Sequence, residues 1–186
     1  MKSGVRALGI AESYREEHSI LGGVVTRADR AVDGFVFGQC RVGGLDATET
    51  VVSMVAALDR EDVQYLLLAG IAPAWYNVLD LHAIHEATGI PTLSVSFEES
   101  QGLEAPLREA FDGEALDRRL ERYRAQPPRE RVTLDGEPRF VRSVGLTEPP
   151  ERVVSAFTPA GGRPEPLRVA RLAARGVDRF RRESGR

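Results

Sequence analysis

The chain has 186 residues, of which 42% are hydrophobic and 28% charged, and its formal net charge is −3. This composition is typical of a globular protein and excludes wholesale disorder, a collagen-like fibre and a membrane protein, since no apolar run reaches the ~18 residues of a membrane span. The length predicts a single domain over residues 1–186, and the absence of a cleavable apolar segment near Met1 predicts a cytoplasmic location.

Three β-rich runs come first, at residues 5–10, 20–26 and 31–42. The short connections between them predict an antiparallel meander. The single cysteine, Cys40, lies in the third run, and a lone cysteine excludes an internal disulfide and a cysteine-based metal cluster. Its apolar neighbours favour a buried structural thiol over a catalytic nucleophile.

A helix and a parallel strand pair follow. Two glycines end the third run, and apolar residues then recur at helical spacing over residues 46–58. Residues 63–69 form a nearly continuous apolar run, which is typical of a central strand covered on both faces. A helix near residues 79–88 and a strand over residues 92–97 complete a strand–helix–strand unit, which predicts a parallel pair with a right-handed crossover.

The remainder is predicted to be helical around one hairpin. Charged helical stretches between residues 104 and 125 precede two β-like pieces joined by Asp135-Gly136, a dipeptide typical of two-residue hairpin turns. A short helix over residues 150–157 and a long one over residues 167–183 follow. The long helix is rich in arginine; a basic segment on an acidic body can contact phosphates, and a solvated helix face is the alternative interpretation.

Four segments, taken together in their order and spacing, carry a family resemblance. They are residues 7–12 (ALGIAE), 43–48 (GGLDAT), 69–80 (AGIAPAWYNVLD) and 163–170 (RPEPLRVA). They resemble the archaeal endonuclease dU family, a formerly uncharacterised family of the UPF0215 type that is related to endonuclease V. The resemblance implies an α/β fold with an RNase H-like, endonuclease V-like mixed sheet flanked by helices. It also implies a DNA-repair endonuclease that cuts DNA at deaminated bases such as deoxyuridine with Mg²⁺, or with Mn²⁺ as the alternative ion.

The sequence departs from the family pattern at two expected aspartates. The motif Gly-Ile-Asp-Asp or Gly-Ile-Asp-Glu has alanine here at Ala11 and ends in Glu12, and the motif Asp-Gly-Ile begins here with Ala69. Magnesium takes oxygen ligands, and alanine offers none. Glu12 replaces the lost ligand only if a bulge or the end of the strand turns it to the same side as residue 11, because neighbouring residues on a strand point to opposite faces.

Asp46 is the second candidate, with Glu12, for the catalytic and metal-binding role. Metal-bound water would attack phosphorus at such a site. The alternative for Asp46 is to cap the helix that follows it, with Glu49 completing a capping box. The two alanines also leave a second function open, that of a nucleic-acid-binding protein of the same fold that has lost catalysis.

Contact with nucleic acid, most simply DNA, is predicted at the loop after the central strand and at the start of the last helix. Open sheets place ligands at the first position, and a helix N-terminus favours phosphate at the second. The candidates are Thr48, Trp75, Tyr76, Asn77, Arg163, Glu165 and Arg168. An extruded base could stack on the aromatic loop residues. The structural alternatives are that Trp75 covers the core, that Asn77 stabilises the turn, and that the arginines pair with Glu165.

Overall fold

A seven-stranded mixed sheet organises residues 1–159 and 162–184, which are the residues that the computed structural model describes. The strands are β1 (Arg6–Ser13), β2 (His18–Arg27), β3 (Val32–Arg41), β4 (Val63–Ala69), β5 (Thr92–Ser96), β6 (Glu130–Leu134) and β7 (Glu137–Val144). The helices are α1 (Ala47–Leu58), α2 (Pro73–Tyr76), α3 (Leu81–Thr88), α4 (Glu104–Ala110), α5 (Gly113–Arg124), α6 (Pro150–Ala156) and α7 (Glu165–Ser184). Across these described residues, none of the helices is both long and apolar enough to cross a membrane.

The strand order is β3-β2-β1-β4-β5-β7-β6, with β4 in the centre. The predicted meander is confirmed, because β1, β2 and β3 pair antiparallel. The predicted parallel unit is also confirmed, because β4 pairs in parallel with β5 and with β1. The mixed sheet flanked by helices is therefore the fold class that the sequence predicts, and the carboxyl ends of β1, β4 and β5 meet at one edge.

Two local predictions have different outcomes. The hairpin between β6 and β7 turns at Asp135 and Gly136, whose φ angles of 51° and 81° are both positive, as a two-residue turn of this kind requires. By contrast, the prediction that the first strand ends at residue 10 is wrong. β1 continues to Ser13, so Ala11 and Glu12 lie inside the strand rather than after it.

Helix α7 packs directly on β1 and β2. An added Cβ at Gly22 would lie 2.6 Å from the carbonyl oxygen of Ala170, so only glycine permits this close approach of helix and sheet. Ala11 is buried on the same face, in a cluster with Val24 and Ala170. Ile10 belongs to the core on the opposite face, with α1 and α3. The alternation along β1 therefore directs residue 11 to α7 and its neighbours to α1.

Candidate nucleic-acid interface

Glu12 lies at the sheet edge where the parallel strands end. Its Oε2 accepts hydrogen bonds from the backbone N–H of Ala74 at 2.7 Å and from the hydroxyl of Ser19 at 2.9 Å. The register of β1 against β2 runs from Arg6 to Ser13 without a bulge. Glu12 therefore keeps the regular alternation and does not take the place of Ala11 on the α7 face, although its position near the end of the strand still brings it to the surface clefts described below.

Asp46 occupies the N-cap position of α1, but its side chain makes no capping hydrogen bond. Its carboxylate instead accepts the backbone N–H of Arg41 at 3.2 Å and the Nδ2 of Asn77 at 2.7 Å. The alternative prediction that the Asp46 side chain caps α1 is therefore wrong, because the carboxylate turns back toward the end of β3. The N–H of Ala47 is satisfied by the Oδ1 of Asn77 at 3.0 Å.

Asn77 and Thr48 join the start of α1 to the loop after β4. Asn77 is fully buried and also donates to the carbonyl of Arg41 at 2.9 Å. The Oγ1 of Thr48, also buried, accepts the N–H of Asp80 at 2.9 Å. The interpretation that Asn77 stabilises the turn is confirmed. Contact of these two side chains with nucleic acid stays a prediction that their burial does not favour.

The loop after β4 contains the short segment α2, whose backbone is not that of a regular helix. Ala74, Trp75 and Tyr76 have φ angles of 48°, 52° and 63°, so three successive residues with side chains adopt the left-handed conformation. Each such residue costs roughly 1–2 kcal/mol. The segment persists because both backbone groups of Ala74 are bonded, the N–H to Glu12 and the carbonyl to the N–H of Gly43 at 2.7 Å. Strain of this kind is typical of functional segments.

This backbone presents an aromatic cluster at the surface. Trp75 is 46% exposed, and the centre of its ring lies 5.0 Å from that of Phe111 and 5.9 Å from that of Tyr76. The guanidinium of Arg119 lies 3.8 Å from the centre of the Phe111 ring. The structure thus brings the two predicted aromatic residues together. Sequence reasoning missed Phe111 and Arg119, since nothing local connects their segment to this loop.

Three surface clefts border the carboxyl ends of β1 and β4. The first, of about 460 Å³, lies between the end of β1 and α7 and is lined by Glu12, Ser13, Tyr14, Arg15, Arg171, Arg175, Asp178, Arg179 and Arg182. The second, of about 280 Å³, extends from Glu12 and Ala69 past β5 to Arg129 and Arg142. The third, of about 240 Å³, follows α7 and is lined by Ala69, Phe97, Arg163, Leu167, Arg168, Arg171, Leu172 and Arg175. Glu12 and Ala69 thus lie where the clefts adjoin, which is where open sheets bind ligands.

The predicted residues at the start of α7 line or adjoin the third cleft. Arg168 forms a two-bonded pair with Glu165, at 2.8 and 2.6 Å, and this pair holds the pKa of the Glu165 carboxyl below its usual range. The predicted alternative of an arginine–glutamate pair is therefore confirmed for these two residues. Arg163 is exposed and lies 4.3 Å from the centre of the Phe97 ring, so its guanidinium remains open to a ligand.

The arginines of the first cleft extend the basic surface along α7. Asp178, which is almost buried, accepts hydrogen bonds from the Nε of Arg15 at 2.6 Å and from its Nη2, and this arginine lowers the pKa of Asp178. Burial, followed by the charges of Arg163 and Arg175, lowers the pKa of Arg171. Sequence reasoning recognised an arginine-rich segment, but the groove itself depends on how α7 packs against β1.

The side chains at this edge do not fit a magnesium ion. Within residues 1–159 and 162–184, no group of three or more His, Cys, Asp or Glu residues is arranged to hold a metal. Glu12 and Asp46 each accept hydrogen bonds from two protein groups, and the alanines at positions 11 and 69 offer no oxygen. Magnesium usually takes one or two carboxylates together with waters and substrate phosphate, and here both carboxylates already accept protein hydrogen bonds. The predicted Mg²⁺ or Mn²⁺ therefore stays a prediction that this donor set does not support.

Known proteins resemble this chain over nearly its whole length. The sequence model of the family "Endonuclease dU" matches residues 3–178. A UPF0215 protein of Pyrobaculum calidifontis is 34% identical over 179 residues, covering 93% of this chain and 97% of the relative. A UPF0215 protein of Methanopyrus kandleri is 33% identical over 187 residues, covering 95% of this chain and 93% of the relative.

Solved structures show the same fold. A protein of unknown function from Archaeoglobus fulgidus superposes with a TM-score of 0.81 at 27% identity, covering 92% of this chain and 97% of that one. Endonuclease V of Ciona intestinalis, in complex with a 24mer DNA containing an inosine followed by a ribo-adenosine, superposes with a TM-score of 0.62 at 14% identity, covering 94% and 86%. The endonuclease V-like fold predicted from the sequence is confirmed.

Proposed function

The chain belongs to the endonuclease dU family, and we propose that it binds DNA at the carboxyl edge of its sheet and that it has lost metal-dependent cleavage. The deaminated base, of the deoxyuridine type, is the lesion that it recognises. The observation that carries the proposal is the composition of one cleft: Ala69 replaces an expected aspartate, and Arg163, Arg171 and Arg175 line the same cleft. Both aspartates of the family pattern are replaced by alanine, and the basic groups that attract phosphate remain.

Charge and aromatic surface together support a nucleic-acid ligand. Guanidinium groups pair with phosphate in a planar, two-bonded geometry. Trp75 lines none of the three clefts, but it follows Ala74, whose N–H is bonded to Glu12 of the first two clefts. Its half-exposed ring offers a face for an unstacked base, and stacking on such a face contributes about 1–3 kcal/mol. The endonuclease V with the similar fold is bound to inosine-containing DNA in its solved structure. A lesion binder needs groups that contact the phosphate backbone and an aromatic face that receives the extruded base, and this edge of the chain offers both.

Binding is tested with fluorescently labelled duplexes that differ only in one deoxyuridine. We expect anisotropy to report tighter binding of the deoxyuridine duplex and a steep loss of affinity between about 50 and 200 mM salt. Trp75 is the single tryptophan of the chain, so its emission should be quenched on binding. Trp75→Leu is the matched variant: it should weaken the preference for deoxyuridine and leave the salt dependence intact. Absence of binding at low salt would refute the proposal.

A magnesium-dependent endodeoxyribonuclease acting at deaminated bases is the second candidate. It is favoured by Glu12, an acidic residue shared by two of the clefts. The same labelled duplexes, incubated with Mg²⁺ or Mn²⁺, test it directly through the appearance of a nick. Glu12→Gln keeps the shape and the hydrogen-bond acceptor but removes the charge, so a nick made by the wild-type chain and not by this variant would establish the nuclease. No nick under either ion leaves the binding function.

A further inference from the structure

A row of arginines lines the first cleft, between the end of β1 and α7, and none of them belongs to the expected catalytic motifs. We call this surface the α7 groove; it contains Arg15, Arg171, Arg175, Arg179 and Arg182. The four α7 arginines are spaced by four, four and three residues, which places them along one side of the helix. From first to last they extend over about 16 Å. A row of this length can face several successive phosphates.

The positive charge of the α7 groove is only partly neutralised by the protein. Asp178 pairs with Arg15 and lies 3.9 Å from Arg182. In the part of the chain that the structure describes, Arg171, Arg175 and Arg179 form no ion pair. The pKa of Arg171 is lowered by burial and by the neighbouring charges of Arg163 and Arg175, so its charged form is held at a cost. An anion bound between these groups would relieve that repulsion.

The groove also adjoins the cleft that contains Ala69, one of the two positions where the family has an aspartate. Glu12 lines the groove, and Ala69 lines the adjoining cleft together with Arg171 and Arg175. With aspartate at positions 11 and 69, the arginines of α7 would pair with the two carboxylates, or a divalent ion would lie between the carboxylates and the phosphate. With alanine at both, the positive groups nearest to a bound phosphate are the guanidinium groups of α7. Arginine then does the charge neutralisation that a metal ion does elsewhere.

We propose that Arg171 and Arg175 bind a phosphodiester group of the nucleic acid directly, so that this chain holds DNA without a divalent ion. The inference rests on the proposed DNA-binding function and adds the position and the chemistry of the phosphate site. It requires that binding depend on these two guanidinium groups and be indifferent to metal. Neither property follows from fold or family alone.

The test measures the affinity for the deoxyuridine duplex at constant ionic strength, once with Mg²⁺ and once with EDTA. We expect equal affinity in both. Arg171→Ala and Arg175→Ala should each weaken binding about tenfold, because each removes a charge-assisted bond to phosphate, and each should lower the slope of log affinity against log salt by about one. Arg131→Ala is the matched control, since it removes an equal charge from the exposed surface of β6, at the far edge of the sheet.

The possible failures can be told apart. If the duplex binds but EDTA abolishes binding, or if both variants bind as Arg131→Ala does, the phosphate site is overturned and the proposed function stands. If the wild-type chain binds no duplex at low salt, both fall. Should either alanine variant melt before the wild type, Arg171→Lys and Arg175→Lys keep the charge without the two-bonded geometry. They should then bind with intermediate affinity, and wild-type affinity in both lysine variants would overturn the direct guanidinium contact.

Discussion

The carboxylate of Glu12 accepts a hydrogen bond from the backbone N–H of Ala74 at 2.7 Å, across 62 positions of sequence. This hydrogen bond from the end of β1 fixes Ala74, which is the first of the three left-handed residues and directly precedes Trp75. A residue expected to hold a metal instead holds a loop. The position of the exposed indole is consequently coupled to the end of β1.

Glu12→Ala should disturb the loop that carries Trp75, whereas Glu12→Gln should not. Alanine leaves the N–H of Ala74 without an acceptor, which should lower the free energy of unfolding by about 1–3 kcal/mol, whereas the hydroxyl of Ser19 keeps the carbonyl of Ser13 at 3.0 Å. Glutamine retains an oxygen acceptor for both donors. Tryptophan emission and urea unfolding measure the two effects, since the chain has one tryptophan. Identical spectra and stabilities for all three proteins would contradict the loop-anchoring role.

Asn77→Ala should be among the more destabilising single substitutions at this edge. Asn77 is fully buried and bonds to the N–H of Ala47, the carbonyl of Arg41 and the carboxylate of Asp46. Alanine leaves the N–H of Ala47 without an acceptor and takes one donor each from the carbonyl of Arg41 and the carboxylate of Asp46, which should cost about 2–4 kcal/mol. Thr48→Val is the matched control, because it is nearly isosteric and removes one acceptor, for about 1 kcal/mol. Equal urea midpoints for the two variants would show that Asn77 is not the main connection.

Local patterns were sufficient to predict most of the fold. The apolar run of β4 and the Asp-Gly turn before β7 each depend on neighbouring residues alone. The end of β1 was missed because the polar residues Glu12 and Ser13 end the apolar run. Their strand pairing is imposed by β2, which is a tertiary effect.

The site was less accessible to sequence reasoning because it is built from distant contacts. The left-handed segment has no glycine to signal it and exists because Glu12 and Gly43 hold Ala74 from two other parts of the chain. The α7 groove likewise needs the docking of α7 on Gly22, which sets its arginines beside the end of β1. A segment rich in arginine is visible in the sequence, whereas the groove is a property of packing.

Cys40 should not react with thiol reagents in the folded protein. It is buried in β3, and burial, together with the charges of Asp46 and Glu12, raises the pKa of its thiol to about 12. The nucleophile in thiol chemistry is the thiolate, which is then scarce at about pH 8. We expect Ellman's reagent to modify the chain only after denaturation in guanidinium chloride. Stoichiometric modification of the native protein would show that the thiol is accessible and would reopen its role as a nucleophile.

The pair formed by Arg15 and Asp178 should make part of the stability dependent on pH. Arg15 lowers the pKa of the Asp178 carboxyl from its ordinary value of 3.8, so the folded state binds the proton less readily than the unfolded state. The contribution of this carboxylate is therefore fully present above that value and is lost as the pH falls through the lowered pKa of the folded state. Asp178→Asn should destabilise the protein by about 1 kcal/mol near neutral pH, a modest value because Arg15 is 40% exposed.

Urea unfolding of both proteins from neutral to acidic pH isolates the effect, since other carboxylates with lowered pKa values, such as Glu165, are common to both. The difference in unfolding free energy should shrink toward low pH, and a difference that stays constant with pH would mean that Asp178 acts through packing rather than through its charge.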